Sequence, residues 1–242
     1  MRSVMKAAVL GLALCAQACA AGNLADLAIH DRTEGKRLPI YWHGGRAYVA
    51  GKPGNEYRVS LRNRAGEDLL AVLSVDGVNA VSGETADPGQ SGYVLSPGAA
   101  LEVQGWRKSL SQTAAFYFTS LGDSYAARTG RPDNVGVIGV ALFRRKQEPQ
   151  PLAQSAPNER YRSNKDAAGA AQAESQLGTG HGRRETSYAQ YVAFERASSV
   201  PTEVLTIYYD SRANLVARGI IRDPVPVAPY PRPFPGFVPD PA

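Results

Sequence analysis

Between Glu56 and Arg64 the chain reads EYRVSLRNR, with Tyr57, Val59 and Leu61 alternating against Glu56, Arg58, Ser60 and Arg62. A strand turns successive side chains to opposite faces, so this period of two predicts a half-buried antiparallel strand. The rhythm returns in RLPIYW, RAYVA, DLLAVLSV, ALEVQGW and TAAFYFT, and the turn clusters HGG, GKPGN, RAGED and SPGA punctuate the chain between them. VGVIGVALF is almost continuously apolar, which fits a central strand whose two glycines mark close backbone approach. Short strands with this punctuation predict an all-β fold, an antiparallel β-sandwich over residues 27–146. One helical turn interrupts it at GDSYAARTG, where Asp123 or Ser124 can cap the start and Gly130 can close the end.

From 147 to 187 the chain becomes polar, alanine-rich and proline-punctuated, and it reads as a flexible linker. That linker ends in LGTGHGRRE, whose glycines read as a turn supplying positive φ angles. Residues 188–222 then hold three strand-like segments, AQYVAFERA, EVLTIYYD and LVARGIIR, expected to form a meander docked on the sandwich. Tyr208 and Tyr209 are adjacent, so only one can face a core. Residues 223–242 form a proline-rich tail, with 8 prolines in the last 19 residues, a composition that favours extended polyproline II.

The first twenty residues change the picture from a fold to a compartment. Arg2 and Lys6, the apolar run Ala7 to Leu14 and the Ala18-Cys19-Ala20 site have the three parts of a secretory signal peptide over 1–20. An apolar run of about eight residues is too short to cross a bilayer core that needs roughly 20, so no transmembrane span is expected. Both cysteines, Cys15 and Cys19, lie in this segment, and cleavage after Ala20 leaves a mature chain without thiols. The alternative is lipidation at Cys19; with or without that anchor, the exported chain is expected in the periplasm or outer envelope. Loss of Arg2 and Lys6 takes 27 basic residues to 25 against 22 acidic, an ordinary solubility charge that argues against nucleic acid as a partner.

The segments SVDGVNAVSGETA, SGYVLSPG, GWRKS, DSYAARTGRPDNVGVIGVALF, GTGHG and FERAS followed by IYYDSRANLVARGII carry a resemblance to an uncharacterised family of exported bacterial β-rich proteins. It spans about 40–221. The resemblance implies a single unit of sandwich plus C-terminal strands and carries over no activity and no functional residue.

The catalytic motifs are weak. GTGHG lacks a P-loop lysine, and GQSGY around Ser91 is not the G-x-S-x-G elbow. His30 and His43 have no partner at ligand spacing, and Asp76, Glu84 and Asp87 share a loop whose spacing is not that of an EF-hand, so neither a metal nor another cofactor is expected. Binding suits the sequence better: Trp106, Arg107 and Lys108 stand together in GWRKS, and Trp42 sits in an aromatic turn with Tyr41 and Tyr48. In the tail, Tyr230 and Phe234 lie between prolines, as in segments that dock into aromatic grooves. The reading is an exported, non-enzymatic interaction or structural protein of the bacterial cell envelope with an envelope protein or glycan as its partner. Two alternatives stay open: an envelope hydrolase built on His181 with Glu185 or Asp210, and a glycan-binding module using Trp42 or Trp106.

Overall fold

A computed structural model describes residues 20–147 and 176–222. The signal segment with Cys19, most of the linker, and the tail with Tyr230 and Phe234 lie outside the described residues. The chain runs through β1 (Ala20–Ala21), β2 (Ala25–Asp31), β3 (Lys36–Arg37), β4 (Tyr41–His43) and β5 (Arg46–Gly51). Next come β6 (Glu56–Asn63), β7 (Leu69–Val75), β8 (Val78–Asn79), β9 (Tyr93–Leu95), β10 (Ala100–Val103), β11 (Gly105–Arg107) and β12 (Gln112–Ser120). A short helix α1 (Tyr125–Arg128) and one 3-10 turn (Pro132–Asn134) lead into β13 (Val137–Arg144), followed by β14 (Leu177–Thr186), β15 (Glu203–Ser211) and α2 (Arg212–Ala217).

These strands form two packed sheets, an all-β sandwich. Sheet A has the order β1-β2-β6-β12-β11, with β3 on β2, β10 on β6 and β14 on β12; sheet B has the order β4-β5-β15-β13-β7-β8, with β9 on β7. Among the described residues every strand pairing is antiparallel except β5 with β15. The alternation in β6 holds: Tyr57, Val59 and Leu61 are fully buried. VGVIGVALF is central, with β13 between β15 and β7. Ser124 caps α1 by accepting from the Ala127 N–H at 3.1 Å, and Gly130 follows at φ +76°. Tyr57 stacks on Phe118 with ring centroids 4.4 Å apart, and Phe118 reaches across to Tyr209 at 5.5 Å, which joins the two sheets through aromatic contacts.

Three expectations for the C-terminal half are corrected. The segment LGTGHGRRET is not a turn at the end of a linker: it is β14, paired along β12. Its glycines serve close approach and none has a positive φ. A Cβ on Gly178 would stand 2.6 Å from Ser124, and one on Gly180 would stand 2.2 Å from the Tyr117 ring. The segment LVARGIIR is not a strand. Ser211 caps it by accepting from the Asn214 N–H at 3.2 Å, α2 follows, and Gly219 at φ +70° turns Ile220 and Ile221 back beside Leu215. The segment AQYVAFERA is an irregular strap tied to Leu110 and Ser111 at one end and to Arg144 and Lys146 at the other, with Phe194 laid on the outer face of sheet B. Of the expected meander only EVLTIYYD is a strand, and it runs inside sheet B between β5 and β13.

The close approach at β14 is testable. Gly180→Ala is expected to lower unfolding stability by about 1–3 kcal/mol through overpacking against Tyr117. Gly66→Ala, where a Cβ meets nothing within 4 Å, is expected to be neutral or slightly stabilising. Urea midpoints of the two variants check both statements.

Candidate functional site

The dipeptide Asp76-Gly77 turns β7 into β8, and both residues have positive φ, 52° and 72°. This is the geometry of a tight hairpin turn. Asp76 is the one non-glycine with positive φ among the described residues, and its side chain is fully buried. Oδ1 accepts from the Gly136 N–H at 2.9 Å and from the Tyr209 hydroxyl at 2.5 Å, while Oδ2 accepts from the Thr179 N–H at 2.7 Å. The hydroxyl of Thr179 in turn bridges Tyr209 and Tyr57, 2.6 Å from each. One carboxylate thus holds segments from both sheets.

Burial raises the Asp76 pKa from 3.8 to about 6, opposed by the hydrogen bonds it accepts from Tyr209, Thr179, Gly136 and Val137. Burial, then the charge of Asp76, raises both Tyr57 and Tyr209 well above the ordinary phenol range. With Asp76 ionised, Tyr57 can donate to Thr179, Thr179 to Tyr209 and Tyr209 to Asp76, so every proton of the chain is used. With Asp76 protonated the same oxygens can donate in the reverse order. The chain is fully satisfied when Asp76 is ionised; in the reverse order the buried Tyr57 proton is left without an acceptor among the described residues.

On the other face of sheet B the tyrosines form a row. Tyr41, Tyr48 and Tyr208 are register neighbours on β4, β5 and β15, and the rings of Tyr48 and Tyr208 are 5.5 Å apart. The Arg46 guanidinium lies 5.4 Å from the Tyr208 ring centre, and that of Arg218, just beyond α2, lies 5.6 Å from Tyr48. These four side chains line a cleft of about 200 Å³, with Asp210 and Gln176 on its wall. Asp210 is mostly buried and accepts from Asn214 Nδ2 at 2.8 Å and the Ser211 N–H at 2.7 Å; Arg218 stands 3.6 Å away. Gly136 and Tyr209, both bound to Asp76, also line this cleft.

The residues singled out in the sequence are scattered. Trp106 is 2 % exposed and packs edge-on against Phe116 at 5.0 Å, so it is a core residue and not a contact surface. An alternating strand places it inward, on the face where Phe116 stands. Arg107 is half-buried and holds the strap by donating to Ser187 O at 2.9 Å and Ser187 Oγ at 3.0 Å, while Lys108 is exposed. Trp42 is 61 % exposed on the β4–β5 hairpin, one residue pair from Arg46. His181 is half-buried on β14 and lies tilted against Tyr125, ring centroids 5.5 Å apart; burial, then Lys108, lowers its pKa. Among the described residues no carboxylate hydrogen-bonds it. Glu185 is held instead by Arg32, 2.8 and 2.9 Å from its oxygens, and Asp210 belongs to sheet B. The loop around Ser91 and Glu84 is a structural turn organised by buried Asn79, which bonds Val81, Ser82, Gln90 and the Ser91 carbonyl. Arg46, Arg218 and the inward role of Asp76 were missed; an Asp-Gly turn is the visible signal only for the last.

No helix among the described residues is long and apolar enough to cross a membrane. No protein family, curated protein or solved structure shows significant similarity to the chain. The functional reading rests on the geometry of this chain.

Asp76 makes a signed prediction. A carboxyl with a raised folded pKa contributes stability that is full below about pH 3.8 and is lost as pH rises through about 6. His30 and His181, with lowered pKa values, act in the opposite direction, so the quantity to measure is wild type minus Asp76→Asn. That difference is expected to shrink by ~2–3 kcal/mol between about pH 4 and pH 7.5, read from urea unfolding at both. A difference independent of pH would contradict the assignment.

Proposed function

We propose that this chain is an exported, non-enzymatic interaction module of the bacterial cell envelope that docks a protein partner through aromatic side chains left outside its core. The signal-peptide pattern over 1–20 supports export. The observation that carries the docking reading is the strap after β14, where Tyr188 is 85 % and Tyr191 is 90 % exposed, beside exposed Leu110 and Val192. Tyrosine combines a large apolar face with a polar tip and few rotatable bonds, which makes it effective at protein interfaces. The strap is anchored at both ends and through Phe194, so its tyrosines are presented on a held backbone. Trp42 provides a second exposed aromatic on sheet B.

Photo-crosslinking in cells tests this. A photoreactive phenylalanine analogue at Tyr191 is expected to trap one discrete adduct in the envelope fraction, whereas the same analogue at Asp87, an exposed polar position, is expected to trap none. Absence of any discrete adduct at Tyr188, Tyr191 and Trp42 would overturn the reading.

A further inference from the structure

The cleft over the tyrosine row points to a second activity, separate from the strap: we infer that Arg46, Tyr48, Tyr208 and Arg218 form a subsite for an acidic sugar, a pyranose carrying a carboxylate.

Two guanidiniums line one cleft of about 200 Å³. Each lies against a tyrosine ring, Arg46 on Tyr208 at 5.4 Å and Arg218 on Tyr48 at 5.6 Å. Contact with the ring leaves the in-plane N–H groups of a guanidinium available, and that edge is the one that forks onto a carboxylate. Among the described residues Arg46 has no carboxylate partner. Among these residues Arg218 has only the long 3.6 Å contact to Asp210 Oδ2, while Asn214 and the Ser211 backbone both donate to Oδ1. The cleft thus carries two cations against one anion, Asp210, which leaves one positive charge to match. Asp210 and Gln176 stand on the same wall, an acceptor and an amide of the kind that bind vicinal hydroxyls. Tyr48 is buried beneath Arg218, so half-buried Tyr208 supplies the apolar edge against which the C–H side of a pyranose packs. A bare anion would use the arginines and leave Asp210 Oδ2 and Gln176 unused.

Ligand-observed NMR and calorimetry on the full-length chain test the subsite with glucuronate, galacturonate, glucose, galactose and inorganic phosphate as probes. At least one uronate is expected to bind roughly tenfold or more tightly than its neutral hexose and than phosphate. Arg46→Gln and Arg218→Gln are each expected to weaken uronate binding by about tenfold or more, with thermal melts showing the fold intact. Equal binding of uronate and hexose, or no effect of Arg46→Gln in a folded variant, would overturn the assignment of the arginines. Phosphate binding as tightly as uronate would overturn the sugar. No uronate binding at all would overturn the subsite and leave the strap's protein docking untouched, since Tyr188 and Tyr191 do not line the cleft.

Discussion

A single carboxylate between two sheets is the constraint on which the rest of this structure depends. Asp76 stands 60 residues from Gly136, 103 from Thr179 and 133 from Tyr209 along the chain, yet it accepts a hydrogen bond from each. A buried carboxyl without partners is costly, and each of the three segments supplies one of its hydrogen bonds. Apolar packing of Tyr57, Phe116 and Phe118 brings the sheets into contact, but such packing tolerates small slides. Directed hydrogen bonds to one carboxylate do not, and they set how β14 of sheet A lies over β13 and β15 of sheet B.

The same bonds shape the cleft over the tyrosine row. Gly136 and Tyr209 hold Asp76 on the inner side and line the cleft on the outer side. Because strand neighbours face opposite ways, fixing Tyr209 inward places Tyr208 outward, in register with Tyr48. Helix α2 then covers the apolar part of that face with Leu215, and Ile220 and Ile221 follow it, leaving Arg218 to close over Tyr48. The strap is built differently. It is a length of chain outside the named strands, paired at the single bridge Arg196–Arg145 and pinned by a few backbone bonds and by Arg107, with Arg145 over Phe194 and Arg196 over Phe143. A rigid cleft and a pinned strap are two distinct surfaces on one scaffold.

The sandwich was legible wherever burial on one face imposed a period of two, as in β6, or on both faces imposed a continuous apolar run, as in β13. It was not legible where a residue's role is set by something distant. The glycines of GTGHG look like turn residues because the reason for them, the Tyr117 ring and Ser124, lies on other elements. The helix after Ser211 was hidden because LVARGII has the β-branched content of a strand, while its cap and its glycine stop act only in combination. Trp106 looked like a contact residue beside two cations, and alternation alone puts it in the core. The acidic loop showed a turn in VDG, but whether its carboxylate points to solvent or inward is decided by Thr179 and Tyr209, more than a hundred residues away. Arg46 and Arg218 reach one cleft only because β5 pairs parallel to β15, a long-range choice with no local signature.

The most direct test of this account is the ionisation of Asp76 itself, followed by the chemical shift of its carboxyl carbon across pH in the folded protein. A midpoint near 6, with the Thr179 and Gly136 amide signals moving in the same titration, is the predicted result. A midpoint in the ordinary range near 3.8, with those amides unmoved, would mean that the carboxylate is solvated and that the two sheets are not held through it.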